Sequence, residues 1–153
     1  MQYYEVDHFV FNQDALTVLG DQGFKEVLTD NIGIIPKDIL DDVLNNCFFL
    51  MLNKEKGFSA AFISKKLIEG KNICAFYEIL YSKGRNKQVH MILHEIAHYV
   101  LGHSNEGLSD EDYYNHKQEK EANALVDKWI NEWKKHLKTQ EEKIQGKGGA
   151  LNV

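Results

Sequence analysis

His94-Glu95-Ile96-Ala97-His98 places two imidazoles four residues apart, with a carboxylate directly after the first. On an α-helix four residues make about one turn, so both rings lie on one face. They can then address a single divalent cation about 2.0–2.1 Å from each nitrogen. Glu95 is rotated by about 100° from His94, so it borders that face without being forced into the coordination shell. This placement suits a general base acting on a metal-activated water. The plainer alternative is a pair of core histidines, one of them bonded to a backbone carbonyl. The apolar Ile96 and Ala97 between them, and an acidic candidate further on, favour the metal.

Two histidines do not complete a catalytic zinc site, which usually takes three protein ligands and keeps one position for water. A third histidine just beyond the helix, the metzincin plan, requires Gly and His where this chain has Leu101 and Ser104. Gly102 and His103 miss those positions by one residue. The gluzincin plan instead takes an acid from a later helix, and Glu119-Lys120-Glu121-Ala122-Asn123 offers two. On a helical wheel Glu119 lies roughly 40–50° from the centre of the apolar stripe near Trp133, and Glu121 more than about 100° away. The wheel therefore favours Glu119 as the ligand and turns Glu121 towards solvent, with Glu121 kept as the alternative. Asn123, one turn after Glu119, is placed to hydrogen-bond a ligand. His103, Tyr113, Tyr114 and His116 fall between the two metal-bearing segments and are the candidate oxyanion donors. His116 comes first because it precedes Glu119 by three residues.

Positioning these groups requires two helices and a support. Val89, Leu93, Ile96 and Val100 recur at helical spacing, predicting a helix from 86 to 101 stopped by Gly102. Ala122, Leu125, Val126, Trp129, Ile130, Trp133 and Leu137 predict a second over 117–138. Upstream, Asp14 can cap a short helix at Ala15–Leu19 that Gly20 and Gly23 end. Pro36 suits the first turn of an amphipathic helix over 37–46. Cys47–Leu52 and Phe58–Ser64 read as strands joined by turn residues Asn53–Gly57, most simply an antiparallel hairpin. Asn72–Tyr81 reads as a third strand able to accept an extended peptide. The expected class is α+β: a small antiparallel sheet of about three strands, packed on the active-site helix and the Glu-bearing helix, with N-terminal helices. Residues 1–138 form one domain in this reading, and 139–153 a flexible polar tail.

His94-Glu-Ile-Ala-His-Tyr-Val-Leu-Gly-His103, followed by Glu119-Lys-Glu-Ala-Asn123, resembles the ImmA/IrrE family of metallopeptidases over roughly residues 70–130. The resemblance implies zinc held by His94, His98 and Glu119, with Glu95 as general base. It also implies an intracellular endopeptidase, and several members cleave helix-turn-helix repressors. After Asn123 the family often shows Phe-Ala and a later Met-Pro. Here Leu125-Val126 stand instead and no Pro follows.

Length and composition frame the rest. One domain of 153 residues buries roughly 70% of the surface its unfolded chain exposes, so a metal is not needed merely to hold a core. Acids outnumber bases 23 to 18, a net charge of −5, which argues against direct nucleic-acid binding. Cys47 and Cys74 stand in apolar runs without Cys-x-x-Cys spacing and read as reduced core residues of a cytoplasmic protein. A secretory leader and a membrane span are not expected. The expected partner is a protein or peptide substrate, a transcriptional repressor among the candidates. Two competing readings remain: a non-hydrolytic module whose metal shell is closed by His103 or His116, and a latent protease that needs an activating partner.

Overall fold

The computed structural model describes residues 1–4, 18–52, 60–68, 70–77, 82–104 and 116–148. In chain order these form β1 (Val18–Leu19), α1 (Gln22–Ile32), α2 (Lys37–Asn46), β2 (Cys47–Leu52), β3 (Ala60–Ile68), β4 (Lys71–Tyr77), α3 (Arg85–Val100) and α4 (His116–Gly148). The α+β class and the expected extents of α2 and β2 agree with these elements.

The sheet differs from the expected antiparallel one. Its order is β1-β2-β4-β3. Strand β2 runs parallel to both β1 and β4, and only β3 pairs antiparallel, with β4. The hairpin therefore joins β3 to β4 rather than β2 to β3. Its turn includes Gly70 at φ 72, a left-handed conformation that glycine adopts without penalty. Residues 53–59, which include the expected turn at Asn53–Gly57, lie outside the described residues. The reason lies in β4, where Asn72, Ile73, Cys74, Ala75 and Phe76 are all buried. A strand apolar on both faces belongs in the interior of a sheet, so β4 takes the place between β2 and β3. With both edges paired, β4 cannot be the strand that receives a peptide; among the described residues β1 and β3 are the edge strands.

Three helix boundaries also differ. Val18 and Leu19 pair with Phe49 and Leu50 as β1, not as the end of a helix, while residues 14–17 lie outside the described residues. Gly23 does not break a helix but sits in the first turn of α1, which is capped by Asp21: its Oδ1 accepts from the Phe24 amide at 2.8 Å. Helix α4 runs on to Gly148 instead of ending near 138.

The core is one cluster. Phe24, Leu28 and Ile32 of α1 and Leu40 and Val43 of α2 meet Cys47, Phe49, Cys74 and Phe76 from the sheet. Ile92, Leu93, Ile96 and Ala97 of α3 join them, as do Ala122, Val126 and Trp129 of α4. The spacings of three and four residues in α1, α3 and α4 are those of a single buried stripe. Helix α3 packs against α1, α2 and α4 and against strands β3 and β4. The helix that carries the histidines is thus the one most enclosed by the others. Among the described residues no helix is long and apolar enough to cross a membrane.

Candidate metal centre

The apolar stripe of α3 orients its polar side. With Ile92, Leu93, Ile96 and Ala97 turned into the core, His94 and His98 project from one flank, towards α4. Their Nε2 atoms are 3.1 Å apart. Glu119, in the first turn of α4, closes the group, with Oε2 3.1 Å from His94 Nε2 and Oε1 3.4 Å from His98 Nε2. Ala122, Val126 and Trp129, three, seven and ten residues on, are buried on the same side of α4. The packing of α4 onto α3 therefore delivers the carboxylate to the imidazoles. Glu119, not Glu121, is the acid that joins the pair.

The three residues could hold a metal ion. Donors bound at about 2.0–2.1 Å on a tetrahedron lie about 3.3–3.4 Å apart, and the observed separations fall within a few tenths of an ångström of that edge. Two imidazoles and one carboxylate are also the donor set of an open catalytic site rather than a closed structural one. Burial, more than any other influence, holds both imidazoles below the ordinary histidine range. For His98, with the neighbouring His94 and His103 adding to the effect, it reaches about 3. For His94 the Glu119 carboxylate and Asn123 oppose the lowering. Both rings are thus neutral near pH 7, the form in which a ring nitrogen keeps a lone pair for a metal. Asn123 reaches His94 as its position one turn after Glu119 predicts.

Glu95 is 7% exposed. It lies on the face of α3 adjacent to that of the ligands, and near Cys74 of β4. The Cys74 thiol is pushed well above its ordinary range by the hydrogen bond with Cys47, then by burial, and also by the Cys47 and Glu95 charges. Both cysteines are free and buried, as their sequence context predicts.

The end of α3 holds an arrangement that spacing alone did not reveal. Gly102 at φ 68 turns the chain back, so that the His103 amide donates to the His98 carbonyl and the Gly102 amide to the Tyr99 carbonyl, both at 2.9 Å. This is the paired hydrogen-bond pattern of a Schellman helix stop. It folds His103, 8% exposed, over His98, where their Nδ1 atoms are 2.9 Å apart. His103 Nε2 lies 3.0 Å from Glu121 Oε2. Glu121 therefore does not simply face solvent: at 43% exposure it meets His103 on one side and Lys117 on the other. The sequence signal was the Leu101-Gly102-His103 stop, because such a stop sets the residue after glycine over the one five positions earlier.

His90, one turn before His94, stacks on it with ring centroids 6.1 Å apart. It extends the histidine face by a turn and was not anticipated. His116 opens α4 and is exposed. No described contact joins it to the cluster. Tyr113 and Tyr114 lie outside the described residues. Tyr99 turns away from the metal-binding group and donates to Asp42 of α2 at 2.7 Å.

No family model, curated protein or solved structure matches this chain.

Proposed function

We propose that this chain is a zinc-dependent endopeptidase acting on a particular protein, with a helix-turn-helix repressor as the substrate class suggested by the ImmA/IrrE resemblance. The observation that carries this reading is the convergence of His94, His98 and Glu119 from two helices within 3.1–3.4 Å of one another. When bound, zinc contributes Lewis acidity there and lowers the pKa of water. His94 and His98 present lone pairs as neutral rings, and the Glu119 carboxylate offsets the cation's charge. The Glu95 carboxylate takes the proton of the attacking water and returns it to the nitrogen of the departing amine. Its burial strengthens its electrostatic influence, because little water screens it. An extended substrate pairs with the outer edge of β3, unpaired among the described residues, and β3 packs beside α3. His116, one turn ahead of Glu119, is the oxyanion donor of this reading.

A closed, purely structural metal shell is less well supported. His103 was one of two side chains expected to fill the fourth position, and it is engaged with His98 and Glu121 instead. The test is to incubate the wild type and Glu95→Gln, each loaded with zinc, with a helix-turn-helix regulator encoded beside this gene. Metal-dependent cleavage by the wild type alone is expected. Equal cleavage by Glu95→Gln removes the assigned base, and no cleavage of any neighbouring gene product removes the proposed substrate class.

A further inference from the structure

We propose that His103 and Glu121 are positioning residues that set the tautomer of His98 and so keep its Nε2 lone pair directed at the metal position. The inference rests on the metal-centre reading above and goes one layer outward from it. Counting the available protons assigns the tautomer. Only one hydrogen can lie between His98 Nδ1 and His103 Nδ1, which are 2.9 Å apart. The Glu121 carboxylate has no proton to give, so at 3.0 Å it accepts from His103 Nε2–H. A neutral His103 protonated on Nε2 has only a lone pair on Nδ1. With His103 singly protonated, the shared hydrogen belongs to His98 Nδ1, and His98 Nε2 is left bare, facing His94 and Glu119. In the reverse arrangement His98 Nε2 would carry a hydrogen and could not bind a cation.

A metal-ligating histidine ordinarily donates its second ring N–H to a carboxylate or carbonyl. Here a second histidine is interposed, and the carboxylate sits at the far end, nearer the surface. The backbone secures the arrangement, because the Schellman stop ties the His103 amide to the carbonyl of the residue its ring must meet. His94 has no such relay, although Asn123 and the His90 ring both reach it. Its Nδ1 is buried without a hydrogen-bond partner among the described residues. The relay through Nδ1 is therefore a feature of His98 and not of His94.

Zinc affinity, measured by competition with a chromogenic chelator, tests the proposal without reference to cleavage. Glu121→Ala, at a half-exposed position, should weaken zinc binding about 10-fold, and His103→Ala between about 10- and 100-fold. His103→Asn restores an acceptor oxygen near the Nδ1 position and should recover most of the affinity. A role confined to packing would not show that recovery. Nitrogen-15 spectra of the zinc-loaded wild type should show the His98 proton on Nδ1. Wild-type affinity in folded Glu121→Ala and His103→Ala, while His94→Ala and Glu119→Ala lose zinc, would overturn the relay and leave the metal centre standing. A His98 proton on Nε2 would overturn it equally. If the wild type takes up no zinc, both fall together. Should His103→Ala not fold, Glu121→Ala and the spectra still decide.

Discussion

Glu119 Oε2 stands 3.1 Å from His94 Nε2, although 25 residues separate them in the chain. Nothing local brings them together; the apolar stripe of α4 does. The carboxylate itself is 39% exposed, so it contributes little to the core. Glu119→Ala should therefore leave the melting temperature of the metal-free protein nearly unchanged, within about 0.5 kcal/mol. Zinc affinity should fall by more than about 100-fold, beyond the range seen when a supporting residue is removed. Chelator competition and thermal melts of the same sample separate the two effects. A variant that retained zinc would transfer the third-ligand role elsewhere.

Gly102 offers a test of the helix stop. A Cβ there would meet nothing within 4 Å, but φ is +68°, so the cost of Gly102→Ala is conformational and about 1–2 kcal/mol. It should appear in urea titration, together with weaker zinc binding as His103 leaves its place over His98. Gly33 is the matched control. It ends α1 at φ −62 with open space around a Cβ. Gly33→Ala should therefore stabilise the fold by about 0.4–1 kcal/mol through the unfolded chain. Opposite signs at these two helix ends are the expected result.

Gly20→Ala fails for a steric reason. A Cβ at this position would run into the Phe24 ring and lie 3.2 Å from Met51 Cβ. Phe24 is fully buried in the core and cannot swing aside. Gly20→Ala should cost about 1–3 kcal/mol by overpacking, read as a lowered urea midpoint with an unchanged slope.

Acid should destabilise the metal-free protein. His98 is held down to about 3, against 6.5 for an ordinary histidine, so between those values the unfolded chain binds the extra proton. Stability then rises with pH across that window and levels off above about 6.5. The melting temperature should drop between pH 7.5 and pH 5, for a loss of up to a few kcal/mol approaching pH 3. His98→Gln should flatten the dependence. A profile already flat in the wild type would contradict the burial of a neutral ring.

The sequence carried the helices of the site better than the sheet that supports them. Helix α3 was legible because Leu93, Ile96 and Val100 repeat at one period and Gly102 ends it. Glu119 was separable from Glu121 because a helical wheel measures an angle. Pairing between strands has no such local marker. The runs at Cys47–Leu52 and Phe58–Ser64 look able to form a hairpin, and only the two-sided burial of β4 settles the order. The partner of Glu121 was hidden for a different reason. A wheel reports which way a side chain leaves its own helix, and His103 reaches Glu121 from beyond the end of another. Helix α1 is hard to read from sequence because Gly23 looks like a breaker and masks the Asp21 cap that starts the helix.

Helix α3 carries the ligand pair and lies where α1, α2, α4 and the sheet meet, with Ile92, Leu93, Ile96 and Ala97 at zero exposure. Amide hydrogens along this helix should consequently exchange only when the whole domain opens. Local fraying cannot scatter the imidazoles while the remainder stays folded. Loss of the cation's binding geometry and global denaturation become a single event for these two side chains, and the slowest-exchanging amides should be those of the helix that carries them.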